Sequence, residues 1–261
     1  MSDGKKFFEQ FRFDQSRTGY VGVEREQFVL DPLVGKIVPH VPRYLSCISS
    51  LNGMIDTSRF NFGYELSACQ LESKIGPCRL GEVRARLDEC EAILSKVDSR
   101  VSMIRVNTEL APEDMPLDVY PDPTGRYQII TRSMPPEVLS AACRVAATHI
   151  HIGMPDLDTA IRAHDRAIAH VEELIKMGDG SAGKRMALYK VMAKRYLPEF
   201  IGSPDGLYLQ AAAHNFLNDP RSCWTMVRVS IHGTVEFRMF GATDSHDKIT
   251  DWVNRCHEIC S

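Results

Sequence analysis

Four short segments of the sequence place chemically capable side chains two positions apart: Glu24 and Glu26 in GVEREQF, Gln70 and Glu72 in CQLESKI, His149 and His151 in ATHIHIG, and Glu236 and Arg238 in TVEFRMF. Side chains at i and i+2 of a β-strand project to the same face, so each segment, if extended, displays its pair together. In three of the four the alternate positions are apolar: Leu71 and Ile75, Ile150 and Ile152, and Val235, Phe237 and Met239. A half-buried strand is commonly polar on its solvent face and needs no ligand to explain it. As a set, however, these faces carry mostly carboxylates and imidazoles rather than the usual mixture of Thr, Lys and Ser. Carboxylates crowded on one face repel one another and require cations. Hard oxygen donors suit Mg²⁺ or Mn²⁺ better than Zn²⁺, and magnesium held by carboxylates commonly accompanies phosphate groups.

The elements that must position these residues follow from hydrophobic periodicity. A strand is predicted over GYVGVEREQFVLD, and a second over CQLESKI, ending at Gly76-Pro77. Between 80 and 104, Val83, Leu87, Cys90, Leu94, Val97, Val101 and Ile104 recur at helical spacing. The Pro- and Asp-rich stretch from Pro112 to Pro136, broken by GRYQIITRS, reads as a long functional loop. A short helix near 137–147 precedes the strand THIHIG. Asp156 and Asp158 are candidate caps for a helix whose stripe is Leu157, Ile161, His164, Ile168, Val171 and Ile175, with His164 read as a core residue rather than a ligand. Helices over 184–195 and 205–218 precede the strand pair MVRVSIHGTVEFRMF, and a terminal helix covers 246–260. The turn at His232-Gly233 is too short to join parallel strands. An α+β class with a mainly antiparallel sheet is therefore expected, as a single domain over 19–261 after a lead-in of residues 1–18.

The 261 residues are 44% hydrophobic and 25% charged, with a net charge of −3, which gives no general attraction to nucleic acid or anionic membrane. No apolar run approaches the roughly 20 residues that span a bilayer. The opening MSDGKKFFEQ has no apolar signal segment, and the eight scattered cysteines are read as reduced thiols of a cytoplasmic protein. Cys256, His257 and Cys260 come nearest to a zinc pattern, but Ile249, Val253, Cys256 and Cys260 also follow the spacing of a buried helix face, the better explanation.

GVEREQF, YELSACQLESKIGPC, ATHIHIG and GTVEFRMF occur in the order and character of the carboxylate-amine ligases related to glutamate-cysteine ligase. The ending TVEFRMFGATDSHDKITDWVNRC especially resembles the branch called amidoligases, and the likeness runs from about Gly19 to Cys260. It implies a glutamine-synthetase-like catalytic domain: a curved, mainly antiparallel sheet with helices packed on its outer face. It implies metal or metal-phosphate roles for Glu24, Glu26, Glu65, Glu72, His149 and Glu236, with Arg238 facing the phosphates of ATP. The implied chemistry is phosphorylation of a carboxylate by ATP, with Mg²⁺ or Mn²⁺, and attack of an amine on the acyl phosphate. The acyl donor expected is glutamate or a similar amino acid, and the amine a small molecule, a peptide or a modified nucleobase. A homo-oligomer stays open.

Tyr127 and Arg132 resemble substrate-facing residues of that family, although a structural tyrosine explains Tyr127 as well. Lys184 and Arg185, in GDGSAGKRMALYKVMAKR, stand where a phosphate- or carboxylate-positioning loop is expected, and a solvated helix start explains them equally. The same segment approaches a P-loop but carries Arg185 where Ser or Thr must reach the metal, after a helical rather than a strand sequence. Two other classes stay open on the residues alone: a metal-dependent hydrolase using the Glu and His face without ATP, and a non-catalytic binding protein of the same fold.

Overall fold

The computed structural model describes residues 3–51 and 53–261. These form strands β1 (Val21–Asp31), β2 (Lys36–Ile37), β3 (Phe60–Tyr64), β4 (Gln70–Cys78), β5 (Ile104–Val106), β6 (Ala147–Gly153), β7 (Val227–Ser230) and β8 (Thr234–Gly241). The helices are α1 (Asp3–Phe8), α2 (Val41–Ser50), α3 (Val83–Val101), α4 (Arg126–Thr131), α5 (Pro136–Arg144), α6 (Leu157–Ile168), α7 (Val171–Gly178), α8 (Lys184–Met192), α9 (Pro204–Ala213) and α10 (His246–Cys260). The strands build one open sheet in the order β3-β4-β1-β6-β8-β7, with β2 and β5 pairing β1, and every pair is antiparallel.

Alternation along each strand divides the sheet into two chemically distinct faces. Val21, Val23 and Val29 of β1, Leu71 and Ile75 of β4, Ile150 and Ile152 of β6, and Val235 and Phe237 of β8 join one buried apolar cluster. The helices cover that face: Leu87, Leu94 and Val97 of α3, Ala160 and Ile161 of α6, and Ile249, Trp252 and Val253 of α10 belong to the same cluster. Glu24, Glu26, Glu72, His149, His151 and Glu236 take the alternate positions and hence the opposite face.

Leu94 is fully buried in this layer. Leu94→Ala is expected to lower the unfolding free energy by about 3 kcal/mol, from lost transfer energy and the cavity left behind, without altering the opposite face. Urea unfolding checks this, and a cost under ~1 kcal/mol would show that the layer collapses to fill the gap.

Periodicity located the buried faces better than the chain breaks. The stripe from Leu157 to Ile175 is shared by two helices, α6 and α7, separated at Ala169 and His170. Both bury the same side, and a period reports burial rather than continuity. The helix expected over 80–104 begins as a 3-10 turn at Leu80–Glu82 and ends at Val101, with Ser102 in the left-handed conformation, and Ile104 opens β5. GRYQIITRS forms α4. The lead-in packs against the main body: Phe7 and Phe11 are buried in the main cluster, and the Arg12 amide donates to the Ile231 carbonyl at 2.9 Å. Gly233 turns there with φ +70°, and a Cβ at that position would fall on the Arg12 carbonyl oxygen.

Candidate active site

Cross-strand register assembles the polar face. On β1, Glu24 lies between Lys74 of β4 and His149 of β6, and Glu26 lies opposite Glu72. His151 of β6 faces Glu236 of β8, which in turn faces Arg228 of β7. Side chains separated by up to some 210 residues of chain thereby become neighbours on four adjacent strands and a fifth at the edge.

Lys74 Nζ lies 2.8 Å from Glu24 Oε1 and 2.7 Å from Glu72 Oε2. His149 stands between two carboxylates, Nδ1 3.6 Å from Glu24 and Nε2 3.6 Å from Glu26. His151 Nδ1 lies 2.8 Å from the Thr234 hydroxyl, leaving Nε2 buried, without a hydrogen-bond partner, 3.7 Å from Glu24 and 4.0 Å from Glu236. Glu236 is grasped by Arg228, whose Nε and Nη2 donate at 2.7 and 3.0 Å, and by Arg238. Arg238 also lies over the Trp224 ring, and its Nε has no partner.

The charges divide the carboxylates into two groups. Burial acts to raise Glu236, but Arg228 and Arg238 override it and hold the carboxylate well below the usual range. Burial likewise opposes ionisation of Glu24, and Lys74 and His151 reverse the effect. The others lack enough cationic company. Burial, reinforced by Glu72, pushes Glu26 up to about 7. Burial and Glu26 push Glu65 up to about 7, and burial with Glu24 and Glu65 drives Glu72 well above the carboxylate range. Burial and then Arg238 lower His149 to about 4, whereas for His151 burial is outweighed by Glu236 and Glu24, which raise it.

The sequence argument assigned neutralisation of these acids to divalent ions. In the folded chain Lys74, Arg228 and Arg238 supply part of it, and among the described residues no three His, Cys, Asp or Glu side chains form a ready metal-holding group.

Two cavities meet at this face. One, of about 220 Å³, is lined by Glu65, Glu72, Tyr64, Tyr127, Trp224 and Arg238 among others. The second, of about 650 Å³, opens at the other end between Arg12, Arg17, Tyr20, Gly153 and Thr234. Glu24, Lys74, His151 and His232 line both. The smaller cavity is walled by the segment after the Pro-rich loop: Asp122 accepts from the Tyr64 hydroxyl at 2.8 Å and from the Arg126 amide at 3.0 Å, fixing the start of α4. Arg126 then pairs with Asp219 at 3.0 Å.

Glu24, Glu65, Glu72, His149 and Glu236 therefore line the smaller cavity with Tyr127 and Arg238, and Glu26 joins the cluster through Glu72 and His149. Lys184 and Arg132 are exposed and line neither cavity. Arg185 is buried and donates to the carbonyls of Ala146, Met239 and Arg238 at 3.0, 2.8 and 3.2 Å, which makes it a clamp between α8 and the sheet rather than a phosphate contact. The loop before it is also committed, since the amides of Ser181 and Gly183 donate to Asp179 at 3.0 and 2.6 Å. Cys256 and Cys260 are buried along α10, as the helical spacing required, and His164 is buried with Nδ1 2.9 Å from Asp165.

Lys74 and Arg228 are site residues absent from the expected set, and His151, read with His149 on the polar face, had been given no metal role. Lys74 was within reach, being two positions beyond Glu72 on the same strand face. Arg228 needed the hairpin register, because only the three-residue turn through Ile231, His232 and Gly233 sets it opposite Glu236.

Comparison with solved structures settles the architecture. Plasmodium falciparum glutamine synthetase superposes with a TM-score of 0.52 at 11% identity, covering 99% of this chain and 55% of that one. The chain has a glutamine-synthetase-like fold. A second structure with this fold likeness, apo GmaS without ligand, gives a TM-score of 0.50 at 13% identity, covering 99% of this chain and 58% of the other. Among curated sequences, the protein named "Putative glutamate--cysteine ligase 2" of Rhodopirellula baltica is 28% identical over 153 residues, 56% of this chain. Its namesake in Roseiflexus sp. is 22% identical over 244 residues, 87% of this chain. The matches span 39% and 62% of those relatives' own lengths. No protein-family model matches the chain. The glutamine-synthetase-like sheet thus carries a sequence similar to proteins named "Putative glutamate--cysteine ligase 2", in keeping with the resemblance of the four strand motifs. Among the described residues no helix is long and apolar enough to cross a membrane.

Proposed function

We propose that this chain is an ATP-dependent carboxylate-amine ligase that forms an amide through an acyl phosphate, with glutamate or a similar amino acid as acyl donor. The observation that carries the reading is the convergence of Glu24, Glu72, His149, His151 and Glu236, with Lys74, Arg228 and Arg238, where two cavities meet. A carboxylate is a poor acyl donor because its leaving group would be oxide; phosphorylation replaces that with phosphate. Both steps concentrate negative charge, and preorganised cations are what such transition states require.

Ligand cavities commonly enclose roughly 300–1,000 Å³. The larger cavity, about 650 Å³, suits a nucleotide, and the smaller, about 220 Å³, suits a compact amino acid. The donors fit a hard divalent ion: carboxylates predominate, and the buried, unpartnered His151 Nε2 is oriented by the Thr234 hydroxyl on its other ring nitrogen. Glu24, His149, His151 and Glu236 would hold such an ion, with Glu26, Glu65 and Glu72 as the further acidic donors. When bound, it would offset phosphate charge as that charge shifts during transfer. Arg238, kept cationic beside Glu236, offers a planar guanidinium for phosphate oxygens. Tyr64, Tyr127 and Trp224 wall the smaller cavity and would shield an acyl phosphate from water.

The test is ADP release from ATP and Mg²⁺ across a panel of amino acids and amines, with mass spectrometry of the product. The expected result is ADP formed only when a carboxylate and an amine are both present, with a product lighter than their sum by one water. Hydrolysis of amides without ATP would overturn this reading in favour of a hydrolase. A folded chain that neither binds nor consumes ATP would leave only a binding role.

A further inference from the structure

Lys74 is the one amine cation set among the acids of this face in the described residues, and its position is unusual for a side chain that only solubilises a strand. It stands on β4, one strand in from the edge of the sheet, cross-strand from Glu24 and two positions beyond Glu72, and lines both cavities. Its ammonium contacts one oxygen of each carboxylate, at 2.8 and 2.7 Å, which is the bridging arrangement a cation between two acids would adopt. The far oxygen of Glu24 is turned toward His149 and His151, at 3.6 and 3.7 Å. Beyond it the His151 Nε2 is buried and lacks a hydrogen-bond partner, so the donors left open lie on that side.

We infer that Lys74 is a built-in substitute for one divalent cation, filling the position between Glu24 and Glu72 permanently, so that this site takes up one metal ion fewer than its carboxylates alone would hold. The inference rests on the proposed metal-dependent ligase reading. Its physical logic is charge and geometry. A single ammonium satisfies one oxygen on each acid through hydrogen bonds, and it cannot gather the six or more oxygen ligands that a hard divalent ion organises. A lysine here therefore blocks the bridging position for metal without leaving the acids uncompensated. It also leaves the Glu24 side facing His149 and His151 available. A strand lysine in this role fixes a charge at the junction of the cavities, where the transferring phosphate would pass.

The experiment counts bound Mn²⁺ per chain by titration calorimetry and by the electron paramagnetic resonance signal of free Mn²⁺, with the full chain at pH 8. Lys74→Met is expected to bind about one additional equivalent relative to the wild-type chain, because the freed bridging oxygens become metal ligands. Lys74→Arg, which keeps a cation there, is expected to retain the wild-type count. Equal counts of one or more in wild type and Lys74→Met would overturn the substitution while leaving the metal-dependent reading standing. No Mn²⁺ bound by the wild-type chain would overturn both. A variant-free measurement guards against misfolding of Lys74→Met. Acylation of lysines in the wild-type chain, followed by mass spectrometry with and without saturating Mn²⁺, is expected to leave Lys74 labelling unchanged. Labelling that rises several-fold on adding Mn²⁺ would show that the ion displaces Lys74, and the inference fails.

Discussion

Glu236→Gln is expected to lower amine-dependent ADP release by at least ~10²-fold and to cost about 3 kcal/mol of folding free energy, two losses with one cause. Glu236 is 1% exposed and neutralises two guanidiniums. Glutamine preserves its shape but removes the charge, leaving Arg228 and Arg238 close together with no carboxylate between them. An uncompensated buried charge is among the costlier single changes. Glu72→Gln makes the same chemical change in the opposite environment. Burial and the neighbouring Glu24 and Glu65 already favour the protonated form of Glu72, which a glutamine resembles. That variant is expected to lose turnover while unfolding near the wild-type denaturant midpoint. Burial of Glu236 against two arginines is what separates the two variants. Guanidinium unfolding beside ADP-release assays on the two proteins checks the contrast. Wild-type turnover in Glu236→Gln would remove Glu236 from the machinery.

How far the sequence could be read depended on whether a residue's surroundings were local. Strand alternation exposed Glu24, Glu72, His149 and Glu236 as members of polar faces, because a period of two is a property of the backbone. It could not say that the four faces are one. That fact resides in the sheet order, where β6, though remote in sequence from β1, is inserted between β1 and β8. The four motifs supplied it only through resemblance. Isolated residues fared worse. Arg185 and Lys184 looked alike as neighbouring cations after a glycine-rich turn, yet one is sealed under three carbonyls and the other is exposed. Nothing within five residues of either distinguishes them. The brief strand β3, FNFGY, was missed although Phe60, Phe62 and Tyr64 alternate with Asn61 and Gly63, because five residues that include a glycine are a short and weak strand signal. It nevertheless carries Tyr64, the hydroxyl that holds Asp122 and with it the wall of the smaller cavity.

The metal-free chain is expected to lose thermal stability as pH rises from about 5 to 8, and Mn²⁺ to restore it far more at pH 8 than at pH 5. Glu26 and Glu65 are pushed up to about 7 in the folded chain, and Glu72 higher. An unfolded glutamate titrates near ~4.3. Below that value both states are protonated and these groups cost nothing. Between it and 7 the unfolded chain releases protons that the folded chain keeps, so stability falls with rising pH; above 7 Glu26 and Glu65 ionise in place and the decline from them levels off. Glu24 and Glu236 have the opposite sign, since their folded-state values are depressed, and their contribution is lost only on acidification below the unfolded range. His149, lowered to about 4, opposes the decline up to its ordinary value of 6.5, but the three raised carboxylates outweigh it, so maximum metal-free stability lies in mildly acidic solution. The groups facing Glu26 make this a property of the cluster: Glu72 across β4, the Ala147 amide and His149 on β6, and Arg238 and Arg185 beyond. A divalent ion entering among them must displace the retained protons, so its affinity rises with pH. Melting temperatures measured at pH 5 and 8, with and without Mn²⁺, give the readout. In Glu26→Gln the metal-free decline with pH should shrink, because one of the retained protons is replaced by an amide that never ionises. An Mn²⁺-induced shift equal at both pH values would mean that the ion binds elsewhere than among these acids.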